Sequence, residues 1–377
     1  ERSQAIHYSR QAYLLAEQIG DASLAVRTLS QLAEWDQNLG EKRRALVSLQ
    51  RALVFASTTP LEAMERWILN FRLSANLADL GYVQAAIAYQ REALRLAEKD
   101  HKPLQASRSY TYLGRLLGSQ GKSQEAIQLL QQACAMGEEL PDETMRKNIL
   151  GYSLLRLAQQ QREMGRLAEA QKNYSVALEI NQQLGLVYAN FTAVRGRLLT
   201  EIARQDDRAA QEDLQKALEV FEENRAKITE EANRSSYFDR EQDIYDIAID
   251  FAYPKDATQA FDYSETSRAR SLLDLMRNGI KTVPAAGSEI YLAASAAPLT
   301  WREIQGQLPA RTKIIQYATL NDHLLIWILA RGGLQHTLVP VSSENLQEKI
   351  TRYLDKVARQ DVADLEEIQK LSVLKNM

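Results

Sequence analysis

The residues best suited to nucleophilic chemistry in this sequence are a single cysteine and four histidines. Cysteine catalysis needs a thiolate beside an imidazole. Cys134 directly follows an alanine of a recurring pattern, where other copies carry leucine, so we interpret it as a core residue. We expect His323 and His336 to be strand residues on a sheet face. His7 and His101 show no ligand spacing, and we predict no catalytic residue, no metal site and no cofactor.

Arginines interleaved with tyrosines form a second set of capable residues, and they indicate binding. The planar fork of arginine suits carboxylates, and tyrosine adds flat apolar area at low entropic cost. When four copies of the recurring pattern are superposed, the set falls in the first half of each unit: Arg72, Arg108, Tyr112, Arg115, Tyr152, Arg156 and Arg162. The set predicts a surface for an acidic or C-terminal-carboxylate segment of a partner protein. The alternative is a solvated helix face whose arginines pair with glutamates of the same chain.

The elements that must position these residues form an internal repeat. Gly121 is preceded at −8 by Leu113 and followed at +5 and +12 by Ala126 and Ala133. The same offsets recur around Gly40, Gly81 and Gly165. A glycine at the turn permits a positive φ, and alanines seven residues apart let two helix backbones approach closely. One such hairpin cannot bury its own apolar face, so neighbouring copies must stack.

The Leu–small–Gly–Ala–Ala skeleton resembles the tetratricopeptide (TPR) repeat. We place copies at 22–58, 62–100, 104–140 and 145–184, with weaker copies at 187–224 and 237–276. Ala5 and Ala12 look like the second helix of an incomplete first hairpin. The resemblance implies a right-handed α-solenoid over 1–278 whose first helices line a concave groove. That groove is where the arginines and tyrosines are expected to meet a peptide or protein ligand.

Composition excludes several other classes. Lys and Arg number 46 against 49 Asp and Glu, and the resulting net charge of −3 gives no support to a nucleic-acid binder. The apolar run at 324–330 is far too short to span a membrane. One cysteine excludes an internal disulfide framework and fits a reducing, cytoplasmic compartment. The chain starts at Glu1 without a signal segment, so we expect a piece of a longer protein.

Beyond Gly279 the pattern changes. Residues 279–298 are small and punctuated by proline, and they predict a linker. Thr300 is expected to cap a short helix. Three β-rich runs follow at Lys313–Thr319, His323–Ala330 and Leu334–Val341, joined by connections of hairpin length. An amphipathic helix carries Leu346, Ile350, Leu354 and Val357, and a second amphipathic segment carries Leu365, Ile368 and Leu371.

This C-terminal part resembles TPR proteins that continue into a CHAT domain, a caspase-like peptidase domain found mostly in bacteria. The resemblance rests on Ser-Tyr-Phe-Asp-Arg-Glu (236–241), Ser-Arg-Ala-Arg-Ser-Leu-Leu-Asp (267–274), the run 299–309, Ile-Ile-Gln-Tyr (314–317) and the run 324–329. It implies a catalytic histidine and cysteine after later strands, and neither motif is present in this chain.

Together these features predict a mainly α protein: a TPR superhelix of about six hairpins at 1–278, a linker at 279–298 and the start of a CHAT-like α/β domain at 299–377. We expect a TPR scaffold that regulates a CHAT cysteine protease, with no direct nucleic-acid contact and no membrane contact. The alternative is a structural or oligomerising TPR adaptor without protease activity.

Overall fold

The computed structural model describes residues 2–227, 243–279 and 298–358. The predicted linker, apart from its two end residues, and the second amphipathic segment lie outside these described residues. The described part contains fifteen helices and one three-stranded sheet. By its internal contacts the chain divides into two units, Glu1–Val220 and Phe221–Met377.

The first unit consists of consecutive helices joined by short turns, and it ends within the last of them. Their bounds are α1 Arg2–Ile19, α2 Ala22–Asn38, α3 Lys42–Thr58, α4 Ala63–Asp79, α5 Val83–Lys99, α6 Pro103–Ser119, α7 Ser123–Glu138, α8 Glu143–Glu163, α9 Leu167–Gln183, α10 Val187–Ala203 and α11 Asp207–Lys227. The four clear copies of the predicted repeat are the hairpins α2–α3, α4–α5, α6–α7 and α8–α9. We call α2, α4, α6, α8 and α10 the first helices, and their hairpin partners the second helices.

Local sequence explains where several first helices begin. Asp21 precedes α2 and its carboxylate accepts a hydrogen bond from the Leu24 amide at 2.9 Å. Asp142 caps α8 in the same way, accepting from the Met145 amide at 2.7 Å. Pro103 opens α6, where its fixed φ suits the first turn and its missing N–H leaves no bond unmade.

The four turn glycines of the repeat have the predicted backbone conformation. Their φ angles are +79° at Gly40, +86° at Gly81, +74° at Gly121 and +74° at Gly165. A side chain would be strained there, and glycine avoids that cost. In the weaker fifth copy Gln205 stands in place of the glycine and has φ of +58°, so the turn keeps its geometry without the usual residue.

The repeated alanines lie where helices touch. All eight are fully buried: Ala45, Ala52, Ala86, Ala93, Ala126, Ala133, Ala170 and Ala177. The central leucines of the first helices, from Leu32 to Leu157, are also buried. In α1 the corresponding Ala5 and Ala12 are only half-buried, and Tyr8 and Leu15 are exposed. The assignment of α1 as the second helix of an incomplete hairpin stays a prediction.

Neighbouring first helices are tied together by hydrogen bonds between residues 42 positions apart. Trp67 Nε1 donates to Ser109 Oγ at 3.0 Å, joining α4 to α6. The hydroxyls of Thr111 and Ser153 lie 2.7 Å apart and join α6 to α8. Because these groups are buried, each unmade bond would cost stability. The bonds therefore fix the register between adjacent first helices, and with it the surface described below.

The second unit contains α12 Asp243–Ala252, α13 Ala257–Gly279, α14 Trp301–Gln307, β1 Lys313–Thr319, β2 His323–Ala330, β3 Gly333–Pro340 and α15 Ser343–Ala358. The sheet is antiparallel in the order β1-β2-β3. Thr300 caps α14 as predicted, in a reciprocal pair with Glu303. The first two strands have the predicted bounds, and β3 begins and ends one residue earlier than predicted.

One face of this sheet shares a core with α12 and α13. Trp327 is fully buried, and its Nε1 donates to the Ala257 carbonyl at 2.9 Å. Ile249 and Phe261 lie in the same cluster. The sequence pattern predicts these two helices as a weak sixth repeat, whereas in the structure their apolar faces pack on the sheet. Leu346 of α15 packs on the opposite face.

Candidate ligand-binding surface on the first helices

The residues with nucleophilic or ligating chemistry occupy ordinary structural positions. Cys134 lies in α7 beside the core of the third repeat, and burial raises the pKa of its thiol to about 12. His323 begins β2, with Nδ1 at 2.6 Å from Asp322 and Nε2 at 3.5 Å from Asp250. His336 Nδ1 lies 3.1 Å from the Tyr253 hydroxyl. Within the described ranges, no group of three or more His, Cys, Asp or Glu could hold a metal ion.

The predicted arginine and tyrosine set is spread over three adjacent first helices. Arg72 lies on α4; Arg108, Tyr112 and Arg115 lie on α6; Tyr152, Arg156 and Arg162 lie on α8. Among the described residues, some members of the set have a carboxylate partner and others have none. That division decides what the surface can bind.

Arg72 is paired within the chain. Its Nη2 lies 2.5 Å from Glu34 Oε2 on α2, and its Nη1 donates to the Ser30 carbonyl. Burial lowers the pKa of Arg72, and the neighbouring Glu34 carboxylate opposes that shift. At this position the chain therefore matches the alternative in which an arginine of the repeat pairs with a glutamate of the same chain.

The equivalent pair in the third and fourth repeats has a different composition. Glu34 stands two residues after the central leucine of its helix, and Arg72 stands one residue before the next one. At the same two offsets, α6 carries Arg115 and α8 carries Arg156. The neighbour relation that gives an ion pair between α2 and α4 therefore gives two arginines between α6 and α8.

These two arginines line a cavity of about 210 Å³, which we call the cationic cavity. Its lining consists of Arg115, Gly118, Ser119, Arg156, Gln159, Gln160 and Glu163. Arg156 Nη1 donates to Gln159 Oε1 at 3.2 Å, but the buried Nε atoms of both arginines have no hydrogen-bond acceptor among the described residues. Glu163 accepts from Gln159 at 3.1 Å and from Gln160 at 2.8 Å. An anion with two oxygens would supply the missing acceptors.

A second, larger cavity of about 400 Å³ lies further toward the N-terminal ends of α6 and α8, and we call it the aromatic cavity. Its lining consists of Phe71, Arg108, Thr111, Tyr112, Asn148, Ile149 and Tyr152. The rings of Phe71 and Tyr112 are 5.2 Å apart. Burial raises the pKa of Tyr112 to about 12, against a smaller opposing effect of Arg115, so its phenol is neutral at physiological pH. Apart from Arg108, the residues that line this cavity are uncharged, and three of them are aromatic.

The two cavities are joined by cation–π contacts. The guanidinium of Arg115 lies 4.3 Å from the Tyr112 ring centre, and that of Arg156 lies 5.1 Å from the Tyr152 ring centre. Each arginine therefore rests on a ring that lines the aromatic cavity. Arg108 lines the aromatic cavity but not the cationic one. Arg162 lines neither, and its charge lowers the pKa of Tyr174, which burial raises more strongly.

Among the residues of the cationic cavity that sequence reasoning missed, Gly118 and Gln160 form a contact pair. Gln160 is only 5% exposed and its Oε1 has no hydrogen-bond partner among the described residues. A Cβ on Gly118 would lie 2.6 Å from Cδ of Gln160, so only glycine at position 118 leaves room for this carboxamide. Gly118 and Gln160 are 42 positions apart, the interval that joins adjacent first helices. That interval could have identified them.

Comparisons with known proteins agree with this architecture. Residues 65–139, which run from α4 into the turn after α7, match the family model of the tetratricopeptide repeat. A comparison with curated proteins found no match. No helix within the described ranges has the apolar length that crossing a bilayer requires.

Among solved structures, the apo form of RapI is similar with a TM-score of 0.55 and 12% identity, covering 74% of this chain and 93% of that one. BtubC (BKLC) from P. vanneervenii gives a TM-score of 0.49 at 16% identity, covering 58% of this chain and 91% of that one. A Rap protein complexed with competence and sporulation factor gives 0.47 at 15% identity, covering 74% and 71%. The likeness to RapI shows the fold alone. The predicted fold class is confirmed: the chain is mainly α-helical, folds like TPR solenoids and carries a small three-stranded sheet toward its C-terminus, and residues 65–139 match the TPR family model.

Proposed function

We propose that the chain binds an acidic segment of a partner protein. This segment lies in a groove along the first helices of the third and fourth repeats. The observation that carries this proposal is the Arg115–Arg156 pair, which occupies the place of an Arg–Glu pair in the earlier repeats. The ligand group is a carboxylate, either an acidic side chain or a chain terminus.

Electrostatics favour an anion in the cationic cavity. Two like charges that are partly removed from water repel each other, and a carboxylate between them relieves that repulsion. The planar guanidinium can also bind both carboxylate oxygens at once. The net charge of the chain is −3, so a local excess of positive charge is a feature of this surface and not of the whole protein.

A selection from a library of random decapeptides with free C-termini tests this function. Against the parent chain we expect enrichment of peptides with Asp, Glu or a required terminal carboxylate. Arg115→Glu combined with Arg156→Glu should weaken the selected peptides by roughly 2–5 kcal/mol if the charge pairs are desolvated, and by under about 1 kcal/mol if they are wet.

A matched control reverses two arginines elsewhere. Arg95 on α5 and Arg208 on α11 are exposed, and each is paired with a glutamate of its own helix. Arg95→Glu with Arg208→Glu changes the net charge equally, and should leave peptide affinity within about twofold. If the groove variant retains every selected peptide at low and at high salt, the proposed groove is wrong.

The finer identity of the protein is also a proposal. The CHAT resemblance in the second unit suggests that the chain is the regulatory TPR part of a bacterial, cytoplasmic CHAT cysteine protease. Supporting this, two segments of the resemblance contact each other, since Arg268 Nη2 donates to the Tyr317 carbonyl at 2.8 Å. The alternative is a TPR adaptor without protease activity. Sequencing the parent gene beyond Met377 decides between them, because only the protease requires a downstream histidine followed by a cysteine.

A further inference from the structure

The cationic and aromatic cavities follow one another along the same two helices. On α6 their linings are centred near residues 110 and 117, and on α8 near residues 150 and 160. At about 1.5 Å of rise per residue, the two centres are roughly 10 to 15 Å apart. The stacked Arg115–Tyr112 and Arg156–Tyr152 pairs form the wall between them.

We infer that one extended peptide occupies both cavities, with its carboxylate in the cationic cavity and an aromatic or branched apolar side chain in the aromatic cavity. This inference rests on the proposed function and specifies its ligand. An extended chain advances about 3.3 Å per residue, so the acidic group and the apolar side chain are about three or four residues apart in the ligand sequence.

Gln160 supplies a third contact that a simple anion would leave unused. Its Nε2 donates to Glu163 Oε2 at 2.8 Å, and because a carboxylate only accepts, this bond fixes the orientation of the amide. Oε1 is then a buried acceptor that needs an N–H donor. A peptide amide beside the bound carboxylate provides such a donor, whereas inorganic anions and free fatty acids do not.

The ligand spacing can be tested with fluorescein-labelled Gly-Ser peptides that carry one phenylalanine and one carboxylate. The two are separated by one, three, four or seven residues, and binding is measured by fluorescence anisotropy. Each peptide is made with a free C-terminus, with an amidated C-terminus plus an aspartate, and with neither carboxylate. We expect separations of three and four to bind about tenfold more tightly than one or seven, and the first two forms identify the source of the carboxylate.

Two variants address the contacts separately. Tyr152→Ala should remove the preference for spacing while acidic peptides still bind. Gly118→Ala should displace the Gln160 amide and lower affinity about three- to tenfold, as should Gln160→Leu, which leaves Gly118 intact. Gly306→Ala is the matched control, because a Cβ on that helical glycine meets no atom within 4 Å. Circular dichroism verifies that each variant is folded.

The results of these experiments distinguish a failure of the two-cavity ligand from a failure of the proposed acidic groove. If all spacings bind equally and binding is lost on Arg115→Glu with Arg156→Glu, the two-cavity ligand is wrong and the acidic groove stands. If Gly118→Ala and Gln160→Leu both bind like the parent, Gln160 does not contact the ligand. If no carboxylate peptide binds, the inference and the proposed function both fail.

Discussion

Arginine side chains have different neighbours in two regions of the molecule: the first helices of the first two repeats, and those of the third and fourth repeats. Arg72 lies 2.5 Å from Glu34, and Arg27 lies 3.5 Å from Glu65. Between α6 and α8 the positions equivalent to Glu34 and Arg72 are both arginine, and each guanidinium lies beside an aromatic ring, while Glu163 lines the same cavity. The repeat thus supplies the neighbour geometry, while the residue type at one position decides whether the second arginine has a glutamate beside it, as Arg72 has Glu34, or another arginine, as Arg156 has Arg115.

The difference is confined to the surface. Behind both regions, the paired alanines of the second helices are fully buried at equivalent positions. Leu53 and Leu94 follow the second alanine in the first two repeats, and Cys134 follows it in the third. All three side chains are partly buried against the core. If the two regions differ only at the surface, the core of the third repeat must be packed as closely as the cores of the first two.

The largest expected effect is on the reactivity of the Cys134 thiol, which reports how closely the core of the third repeat is packed. Burial raises the pKa of its thiol to about 12. Since only the thiolate reacts, labelling by Ellman's reagent near pH 8 should be about a thousandfold slower in the native chain than in urea, where the thiol has its ordinary pKa. Free glutathione in both solvents controls for the effect of urea. Native labelling within about tenfold of the denatured rate would show that the core of the third repeat is open.

A reciprocal exchange tests the surface itself. Arg115→Glu recreates the Glu34–Arg72 arrangement beside Arg156, and we expect acidic peptides to lose about ten- to a hundredfold in affinity with little change in stability. Conversely, Glu34→Arg places two arginines between α2 and α4 and should create a weak, salt-sensitive site for the same peptides. Arg115→Gln is the control that removes charge without adding a partner. Unchanged binding to Arg115→Glu would remove the distinction between the two regions.

A smaller effect is expected for Glu65, because the equivalent position of α6 is not acidic but carries Gln105. It is only 8% exposed, accepts from Ser23 at 2.5 Å and completes the capping box of α4. Glu65→Ala should lower the free energy of unfolding by about 1–3 kcal/mol. The matched change is Gln105→Ala, eight residues before the central leucine of α6, and it should cost less than about 0.5 kcal/mol. Equal losses in urea titrations would contradict the comparison.

Much of the fold was predictable because the backbone geometry of the repeat restricts which residue types can stand at particular positions. A left-handed turn favours glycine and a close helix contact favours alanine, so the four hairpins and their turns follow from spacing alone. The strands β1 and β2 also follow, since β-rich runs with hairpin-length connections are local signals. Gln205 shows the limit of such rules. Its φ of +58° is set by the turn between the two helices, and a glutamine in the sequence gives no signal of a positive φ.

Long-range pairing was less accessible to sequence reasoning. Whether Arg72 contacts Glu34 depends on how far α4 is shifted along its axis relative to α2. The repeat spacing alone does not fix this shift more closely than about one helical turn. Packing of Ile249 and Phe261 against Trp327 joins residues some 70 positions apart without any repeat signature. Gln160 was missed because glutamine on a helix is ordinarily solvated, and its burial depends on the absent side chain of Gly118.

The smallest effect compares what holds one arginine in each region. Double-mutant cycles of Glu34→Gln with Arg72→Gln, and of Tyr152→Leu with Arg156→Gln, should each give a coupling of about 0.5 kcal/mol in urea unfolding. The couplings should then respond differently to salt. Raising salt to about 1 M should roughly halve the ion-pair coupling, because its charges are partly in water. The contact of Arg156 with the Tyr152 ring depends on a short-range quadrupole and on buried apolar area, so its coupling should persist. If both couplings fall together, the two regions hold their arginines by the same means, and the distinction between them must lie in the ligand alone.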